Sequence, residues 1–547
     1  MDPGAATPLL ASTVSPGQVA VGLAYVTFIL LWLYSELLAY RQRERSAHAD
    51  GKHDPEQQSL ANGQANGEVP PAADAVQVLP MTKSGFARCL QLDQKTLLAN
   101  REYLKAGAEF GTILFWYYVA DRTTVFPEHA KSYSRDVMGF IFLGLTLVAF
   151  ATSLKKAKAP VLLNRQQTEE WKGWMQVLFL LYHYFEAREV YNAIRVFIAG
   201  YVWMTGYGNF LYYYKTKDFS FGRFCQMMWR LNFLVIMTCL VLQNSYMLYY
   251  ICPMHTLFTI MVYGCLGIYS KVNSSPAGIL TKFALCFLTV YICWDIKPVF
   301  YAIWTPLSPI MGYIDPRRPS NDQMFEWYFR SSLDRYVWIH GMMIAYLHPF
   351  ADAFLQRVDS WPLRSRWAVR GMLLAGVAGG FTMWYQLVYM LPKVEYNKVH
   401  PYTSWIPITL WCMLRNLLPS MRTFSLSLYG WLGCITLETY ISQFHTWLST
   451  GIPNGQPKML LAFFPAQYPL LNFAGVTAVY VYVSYRLFLL TNTLKSAVIP
   501  AKVGPLLWRN FAIFGLASAF LYITALILVH IIPFTPFMSP ILAPRTV

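Results

Sequence analysis

Long runs of apolar residues, separated by short polar loops, extend along almost the whole chain. A helix that crosses a membrane needs about 20 predominantly apolar residues. Segments of this kind occur at 19–40, 104–120, 137–153, 171–187, 190–213, 231–250, 254–270, 277–294, 336–356, 371–391, 405–418, 425–447, 469–488 and 510–532. Because two of these runs are short, the pattern predicts about 11 to 14 spans. The predicted fold class is therefore all-α, a polytopic bundle of transmembrane helices without a sizeable soluble domain.

One long polar stretch interrupts this pattern after the first apolar run. Residues 41–80 are rich in Ala, Asn, Gly, Gln and Pro and contain almost no bulky apolar side chains. A segment of this composition cannot bury enough apolar surface to offset the entropy of ordering, so we expect disorder here. The run before it is too long for the apolar core of a signal peptide and has no basic region ahead of it, which predicts a retained first span.

The distribution of basic residues predicts the orientation in the membrane. Cytosolic loops carry an excess of Lys and Arg. With the N-terminus outside the cytosol, the dense clusters near Arg41, Lys155, Lys215, Arg364 and Lys495 all fall on the cytosolic side. The opposite loops hold fewer basic residues.

Composition supports a lipid environment and argues against nucleic acid as a partner. Hydrophobic residues make up 55% of the chain and charged residues 13%, whereas soluble domains carry about a quarter charged residues. The net charge of +16 comes from short loops between apolar runs and not from a soluble basic patch. The nine cysteines form no CxxC pair, so we interpret them as small buried hydrophobes.

Several histidines lie at similar predicted depths, near the luminal ends of different spans. His183, His340, His400 and His445 belong to this group. Ionisable groups at membrane depth are costly and usually functional, so a catalytic or substrate site is favoured, although an interface also tolerates histidine. The histidines show no metal-binding spacing, and the G-x-S-x-G and HxxxxD motifs are absent from the chain.

The segment from Lys172 to His183 suggests how a donor and a base are arranged. Eleven residues at 100° each return to the same helix face, and the rise places the two side chains about 16 Å apart. A cation at the cytosolic end suits an anionic donor such as coenzyme A, and an imidazole further along suits proton abstraction. Lys172 is equally explained as an anchor at the membrane interface.

A second group of charged residues precedes His340. Glu326, Arg330 and Asp334 are spaced i, i+4, i+8, which predicts one helical stripe of ion pairs. If the helix continues, the Asp334 carboxylate orients the His340 imidazole. A purely structural ladder of ion pairs explains the same spacing.

Glu438 lies seven residues before His445, which predicts that they share a helix face. A carboxylate inside the membrane needs a cationic partner. The candidates that lie in or beside apolar runs are Arg195, Arg230 and Arg415.

Specific sequence blocks resemble a known family of membrane proteins. They are Glu170-Trp-Lys-Gly-Trp-Met-Gln176, Tyr182-His183, Thr205-Gly-Tyr-Gly208, Trp229-Arg-Leu-Asn-Phe233, Glu326-Trp327, Leu333-Asp-Arg-Tyr336, His340-Gly341, His400-Pro401 and Leu437-Glu-Thr-Tyr-Ile-Ser-Gln-Phe-His-Thr-Trp447. In these blocks the chain closely resembles the plant reduced-wall-acetylation proteins, which are similar to the fungal capsule O-acetylation protein and the animal sialic-acid O-acetyltransferase. The resemblance runs over nearly the whole length.

The resemblance implies a division of the chain and a reaction. It implies a first span (1–40), a polar cytosolic segment (41–103), two additional spans (104–160) and a membrane acyltransferase-like core (161–547). The implied donor is cytosolic acetyl-CoA. The implied acceptors are cell-wall polysaccharides in the Golgi lumen, namely xylan, mannan, xyloglucan or pectin.

Residue roles follow from the resemblance together with the patterns above. The predicted catalytic residues are His183, His340, His445, Asp334 and Glu438. The predicted donor-binding residues are Lys172, Arg195 and Arg230. The predicted acceptor-binding residues are Glu326, Arg330, Arg335, His400 and Gln443.

The chain departs from the animal and fungal relatives at one place. Those proteins carry a luminal esterase-type domain after the first span, where this chain has the short segment 41–103. This difference implies a separate luminal polysaccharide acetyltransferase as a partner. It leaves two other hypotheses open: a transporter that moves acetyl-CoA intact into the lumen, and a scaffold without chemistry.

Overall fold

The structure is a computed structural model that describes residues 14–50, 94–316, 322–451, 454–500 and 504–531, with the side chains of 45–50 excluded. The first helix continues to Asp50, so the first ten residues of the predicted disordered stretch are helical. The rest of that prediction, from residue 51, lies outside the described residues.

Helices dominate the described residues. They are α1 (Pro16–Asp50), α2 (Gln94–Ala99), α3 (Arg101–Arg122), α4 (Arg135–Ser153), α5 (Arg165–Phe185), α6 (Tyr191–Thr216), α7 (Phe221–Leu242), α8 (Ile251–Gly267), α9 (Pro276–Val290), α10 (Lys297–Trp304), α11 (Ser308–Met311), α12 (Phe325–Leu333), α13 (Val337–Asp359), α14 (Leu363–Trp384), α15 (Lys393–Thr403), α16 (Trp405–Asn416), α17 (Pro419–Thr423), α18 (Ser427–Cys434), α19 (Thr436–Ser442), α20 (Pro469–Val498) and α21 (Pro505–Ile531). Short π-helical turns extend α9, α14 and α19, and we call the last of these, Gln443–Trp447, the π-turn.

Five very short strands join distant loops. They are β1 (Glu128–Ala130), β2 (Leu154–Lys156), β3 (Phe424–Leu426), β4 (Leu448–Ser449) and β5 (Met459–Leu461). β5 lies between β1 and β4 in one antiparallel sheet, and β2 pairs with β3 in another.

The predicted fold class, an all-α polytopic membrane protein, is confirmed. Seven helices of the described part are long and apolar enough to cross a membrane, and most of each apolar window faces outward. They are Pro16–Glu44, Arg135–Ser153, Phe221–Leu242, Pro276–Asp295, Leu363–Tyr389, Pro469–Val498 and Pro505–Ile531. Helices α3, α5, α6 and α13 are comparably long but are not among these seven apolar helices.

The predicted single span at 425–447 is wrong. This segment consists of β3, α18, α19 and the π-turn, with a break at Ile435. Irregular backbone at membrane depth is tolerated where protein surrounds it, and here every residue from Glu438 to Ser449 is buried. The break changes which side chains share a face in the second half of the segment.

Two helix crossings bring site-bearing helices into unusually close contact through glycine. A Cβ on Gly173 of α5 would lie 1.8 Å from Tyr429 O, and a Cβ on Gly433 of α18 would lie 1.9 Å from Glu169 O. The crossing of α6 and α13 is built in the same reciprocal way, through Gly206 against Trp338 and Gly341 against Trp203. Small residues at such crossings let helix backbones approach, which fixes the positions of Lys172 and His340 beside them.

Candidate active site

A stripe of side chains along α5 leads from a cavity to His183. Lys172, Gln176 and Phe179 all line a cavity of about 520 Å³, and His183 is the next residue on the same face. The spacing of four, three and four residues is that of one helix face. The predicted common face of Lys172 and His183 therefore agrees with the way the cavity is lined.

One region of the cavity wall is strongly cationic. Its basic side chains are Arg165, Lys172, Arg223, Arg230 and Lys495, and its lining includes one acidic residue, Glu169. Glu169 pairs with Lys172 at 2.6 Å, which leaves a net positive surface. On the predicted orientation, this region lies on the cytosolic side.

Two of the three predicted donor-binding residues line this cavity and one does not. Arg230 lines it and also pairs with Glu438, which is completely buried. Arg230 is thus the partner that the sequence required for Glu438. Arg195 lies elsewhere, because its guanidinium pairs with Asp334 at 2.8 Å in the buried core.

A further imidazole lies inside the cavity. The Thr205 hydroxyl donates to Tyr201 O, so it accepts the hydrogen bond from His255 Nδ1 at 2.7 Å. That tautomer leaves His255 Nε2 as an acceptor. No role was predicted for His255 from the sequence.

His183 has a defined tautomer because of Gln443. The Gln443 amide nitrogen donates to Tyr440 O at 3.0 Å, so its Oε1 faces His183 and accepts from Nδ1 at 3.1 Å. The proton therefore resides on Nδ1, and Nε2 carries the lone pair that can accept a proton. A neutral imidazole in this state is a general base.

Aromatic rings separate His183 from the cavity. The rings of Phe179 and His183 are 4.5 Å apart, and Phe179 is 6.1 Å from Tyr440, which also lines the cavity. Phe444 completes the enclosure, with its ring 6.1 Å from His183. These rings form an apolar partition that keeps the water of the cavity away from His183.

His445 does not share a face with Glu438, contrary to the prediction. The π-turn adds a residue to the helical repeat, so Glu438 points to Arg230 whereas His445 Nδ1 lies 2.8 Å from Asp121 Oδ2 on α3. Asp121 and His445 are both completely buried. Asp121 was not predicted as a site residue, because it lies at the end of a span that was placed outside the acyltransferase-like core.

Asp334 does not orient His340. The helix breaks after Leu333, so Asp334 lies between α12 and α13 and not on a continuous stripe. Its carboxylate pairs with Arg195 and lies 3.4 Å from His400 Nε2. His340 instead accepts from Trp203 Nε1 at 3.0 Å and donates through Nε2 to Thr409 at 3.2 Å.

A second cavity, of about 880 Å³, contains three of the predicted acceptor-binding residues. Glu326, Arg330 and Arg335 line it. Glu326 and Arg330 pair at 3.2 Å, as their spacing predicted. Arg335 pairs with Asp295 at 2.8 Å, and Tyr402 donates to the same carboxylate.

The histidines do not converge on one point. His445 belongs to the π-turn, and His183 is hydrogen-bonded to Gln443 of the same turn. His340 and His400 belong to separate hydrogen-bond networks. Within the described residues, no group of three or more His, Cys, Asp or Glu is arranged to hold a metal ion.

Comparison with known proteins identifies the family. Residues 18–510 match the family described as the "10 TM Acyl Transferase domain found in Cas1p". The chain is also 30% identical over 424 residues to the N-acetylneuraminate (7)9-O-acetyltransferase of Danio rerio, a match that covers 74% of this chain and 52% of that protein. The chain thus spans about half the length of this relative. No solved structure matches the chain. The chain belongs to the family of membrane acyltransferases that share this ten-transmembrane domain.

Proposed function

We propose that this protein is a Golgi membrane O-acetyltransferase that takes acetyl groups from cytosolic acetyl-CoA for the O-acetylation of cell-wall polysaccharides in the lumen. The observation that carries the proposal is the stripe on α5, where Lys172 lines a cationic cavity and His183, on the same face, has Nδ1 bonded to Gln443 and therefore Nε2 as its proton acceptor.

The cavity suits the donor in both size and charge. Its volume of about 520 Å³ falls within the range of small-molecule sites. Coenzyme A carries a 3′-phosphate and a pyrophosphate, and guanidinium and ammonium groups form strong charge-assisted hydrogen bonds to phosphate oxygens. Arg165, Arg223 and Lys495 line the cavity together with Lys172, so the phosphates would bind at this cytosolic mouth and the thioester would point inward.

His183 then serves as the base for acyl transfer. An acceptor hydroxyl gives its proton to His183 Nε2, and its oxygen forms a bond to the acetyl carbonyl carbon. The carbon–sulfur bond breaks, and coenzyme A leaves as a thiolate that takes up a proton. The rings of Phe179 and Tyr440 lie between the donor and the base, so one of them must move to let the acetyl group reach the acceptor.

The luminal side offers a place for the acceptor. The second cavity, with Glu326, Arg330 and Arg335, presents both charges and hydrogen-bonding groups. A polysaccharide such as xylan, or a side chain of a separate luminal acetyltransferase, would present its hydroxyl from this cavity. His340, His400, Asp334 and Glu438 support the site from surrounding networks.

Transport of the intact donor is the competing function, because a cationic cavity binds acetyl-CoA in either case. We would reconstitute the protein in vesicles with its basic loops outward and add acetyl-CoA labelled on the acetyl group and on the adenine. Xylan oligosaccharides would be enclosed, with and without a luminal acetyltransferase. The variants would be His183→Ala and, because its imidazole lines the donor cavity, His255→Ala.

The proposal expects that only the acetyl label reaches the lumen and that His183→Ala abolishes its passage. Passage of both labels together would show a transporter and refute the proposal. If His255→Ala abolishes transfer while His183→Ala retains it, the base has been assigned to the wrong imidazole. If transfer requires the enclosed acetyltransferase, the final acceptor step belongs to that partner.

A further inference from the structure

A closed ring of hydrogen bonds passes through His445 of the π-turn, two residues after Gln443, the partner of His183. Asp121 Oδ2 accepts from His445 Nδ1 at 2.8 Å, and His445 Nε2 accepts from the Tyr249 hydroxyl. Asn244 Nδ2 donates to that hydroxyl at 3.0 Å, and its Oδ1 accepts from Arg122 at 2.7 Å. Arg122 closes the ring on Asp121 at 2.8 Å. We call these five residues the Asp121 ring.

The ring satisfies a buried charge completely. Besides His445 and Arg122, the Asp121 carboxylate accepts from the Ser449 hydroxyl at 3.0 Å and from the Thr450 amide at 2.6 Å. A buried carboxylate without such partners would be very costly. The cost is avoided only while the chain holds all the donors in place, so the ring fixes the geometry of the segments that supply them.

Helix α3 holds the π-turn at more than one point. Besides the contact of Asp121 with His445, the Tyr117 hydroxyl lies 2.5 Å from Ser442 Oγ, and Trp116 Nε1 donates to Thr446 at 3.3 Å. Two residues of the π-turn and Ser442, the last residue of α19, are therefore hydrogen-bonded to α3. Gln443, the first residue of the π-turn, is hydrogen-bonded to His183 on α5.

His445 itself is not placed to touch a substrate. Both of its ring nitrogens are occupied within the ring, and its side chain is completely buried. It lines neither of the two cavities described above. These observations argue against the direct catalytic role that the sequence suggested.

We propose that the Asp121 ring is a positioning device that acts through the π-turn. By anchoring His445 to α3, it holds Gln443 so that Oε1 accepts the Nδ1 proton of His183 and leaves Nε2 free. Asp121 and His445 are then positioning residues for the base and not catalytic residues. The catalytic part of this inference rests on the proposed function. The hydrogen bonds that connect Asp121, His445, Gln443 and His183 do not depend on it.

The test is a double-mutant cycle between the ring and Gln443. Asp121→Asn and Gln443→Leu should each lower kcat for acetyl transfer by about 10- to 100-fold, the loss typical of partners that orient a metal-bound histidine. The KM for acetyl-CoA should change less than about twofold, since the donor cavity is untouched. The double variant should be no slower than the slower single variant, because both changes remove one device.

The same helix provides a matched control. Glu109 of α3 also forms an ion pair, with Arg486 at 2.5 Å, but this pair is partly exposed and is not hydrogen-bonded to the π-turn. Glu109→Gln should leave kcat within about twofold. His445→Asn, whose side-chain amide can replace the Nδ1 donor, should retain more activity than His445→Leu. If Asp121→Asn fails to fold, the cycle is run with His445→Leu in its place.

A second readout does not depend on activity. Diethyl pyrocarbonate acylates a neutral imidazole, and mass spectrometry of the labelled peptide reports the reaction of His183 as a function of pH. Asp121→Asn and Gln443→Leu should change this profile in the same direction, whereas Glu109→Gln should match the wild type. The inference would be overturned if the double variant lost kcat by the product of the two single losses, or if the pH profile of His183 labelling stayed unchanged in the variants. A wild type that transfers no acetyl but shows these labelling changes would refute the proposed function alone.

Discussion

The contact between α5 and α18 makes a sharp prediction, because one short helix contains both the test position and its control. A Cβ on Gly433 would lie 1.9 Å from Glu169 O, whereas a Cβ on Gly430 has nothing within 4 Å. An ordinary contact at this position needs about 3.4 Å. Gly433→Ala must therefore separate the two backbones by about 1.5 Å, the difference between these distances.

The energetic consequence follows from the two environments. Overpacking of this kind costs about 1–3 kcal/mol, while alanine gains up to about 1 kcal/mol over glycine in a helix. Both variants receive this gain and only Gly433→Ala is overpacked, so the two variants should differ by about 1–3 kcal/mol in the free energy of unfolding. Gly433→Ala should also weaken acetyl-CoA binding, because Glu169 is the ion-pair partner of Lys172.

The assay is equilibrium unfolding in mixed micelles of dodecyl maltoside and SDS, followed by tryptophan fluorescence. Acetyl-CoA binding to the folded protein would be measured in parallel by filtration. Equal stability and equal donor affinity in the Gly433→Ala and Gly430→Ala variants would refute the reasoning, since it would show that α5 and α18 are not in close contact.

Three further predictions concern charge and metal. Arg195→Met should cost about 3–5 kcal/mol in unfolding free energy, because it leaves the buried Asp334 carboxylate without its guanidinium and with the His400 imidazole beside it. Replacing Arg195 and Asp334 together by apolar residues should recover most of the loss, and a double variant as unstable as Arg195→Met would contradict this. Lys172→Ala should raise the Kd for acetyl-CoA about tenfold and flatten its salt dependence, whereas Lys158→Ala, an exposed residue outside the cavity lining, should not. Treatment with EDTA should leave acetyl transfer unchanged, because the described residues contain no candidate metal site; inhibition that Zn²⁺ reverses would contradict this.

Features set by local geometry could be predicted from the sequence. The apolar runs indicated a helical membrane protein, because a span is a property of about 20 consecutive residues. The common face of Lys172 and His183 followed from the helical repeat within one uninterrupted helix, and so did the pair of Glu326 and Arg330. The requirement that Glu438 have a cationic partner followed from its depth alone, although three arginines remained candidates.

Where a helix broke, the same reasoning failed. Spacing predicted that Asp334 would face His340 and that Glu438 would face His445, but the chain leaves the α-helical repeat before each pair is complete. Such breaks depend on surrounding protein that satisfies the freed backbone groups. The local sequence does not show whether that protein is present.

The sequence by itself determined the class of the protein and the helix face that carries the candidate base, since each depends on neighbouring residues. Only the tertiary structure decided the partners of that base and of its supporting network. Gln443 meets His183 across 260 residues, and Asp121 meets His445 across 324. Contacts of this separation are chosen by helix packing, in which the close glycine crossings and the burial of charge fix one arrangement, and no periodicity along the chain records that choice.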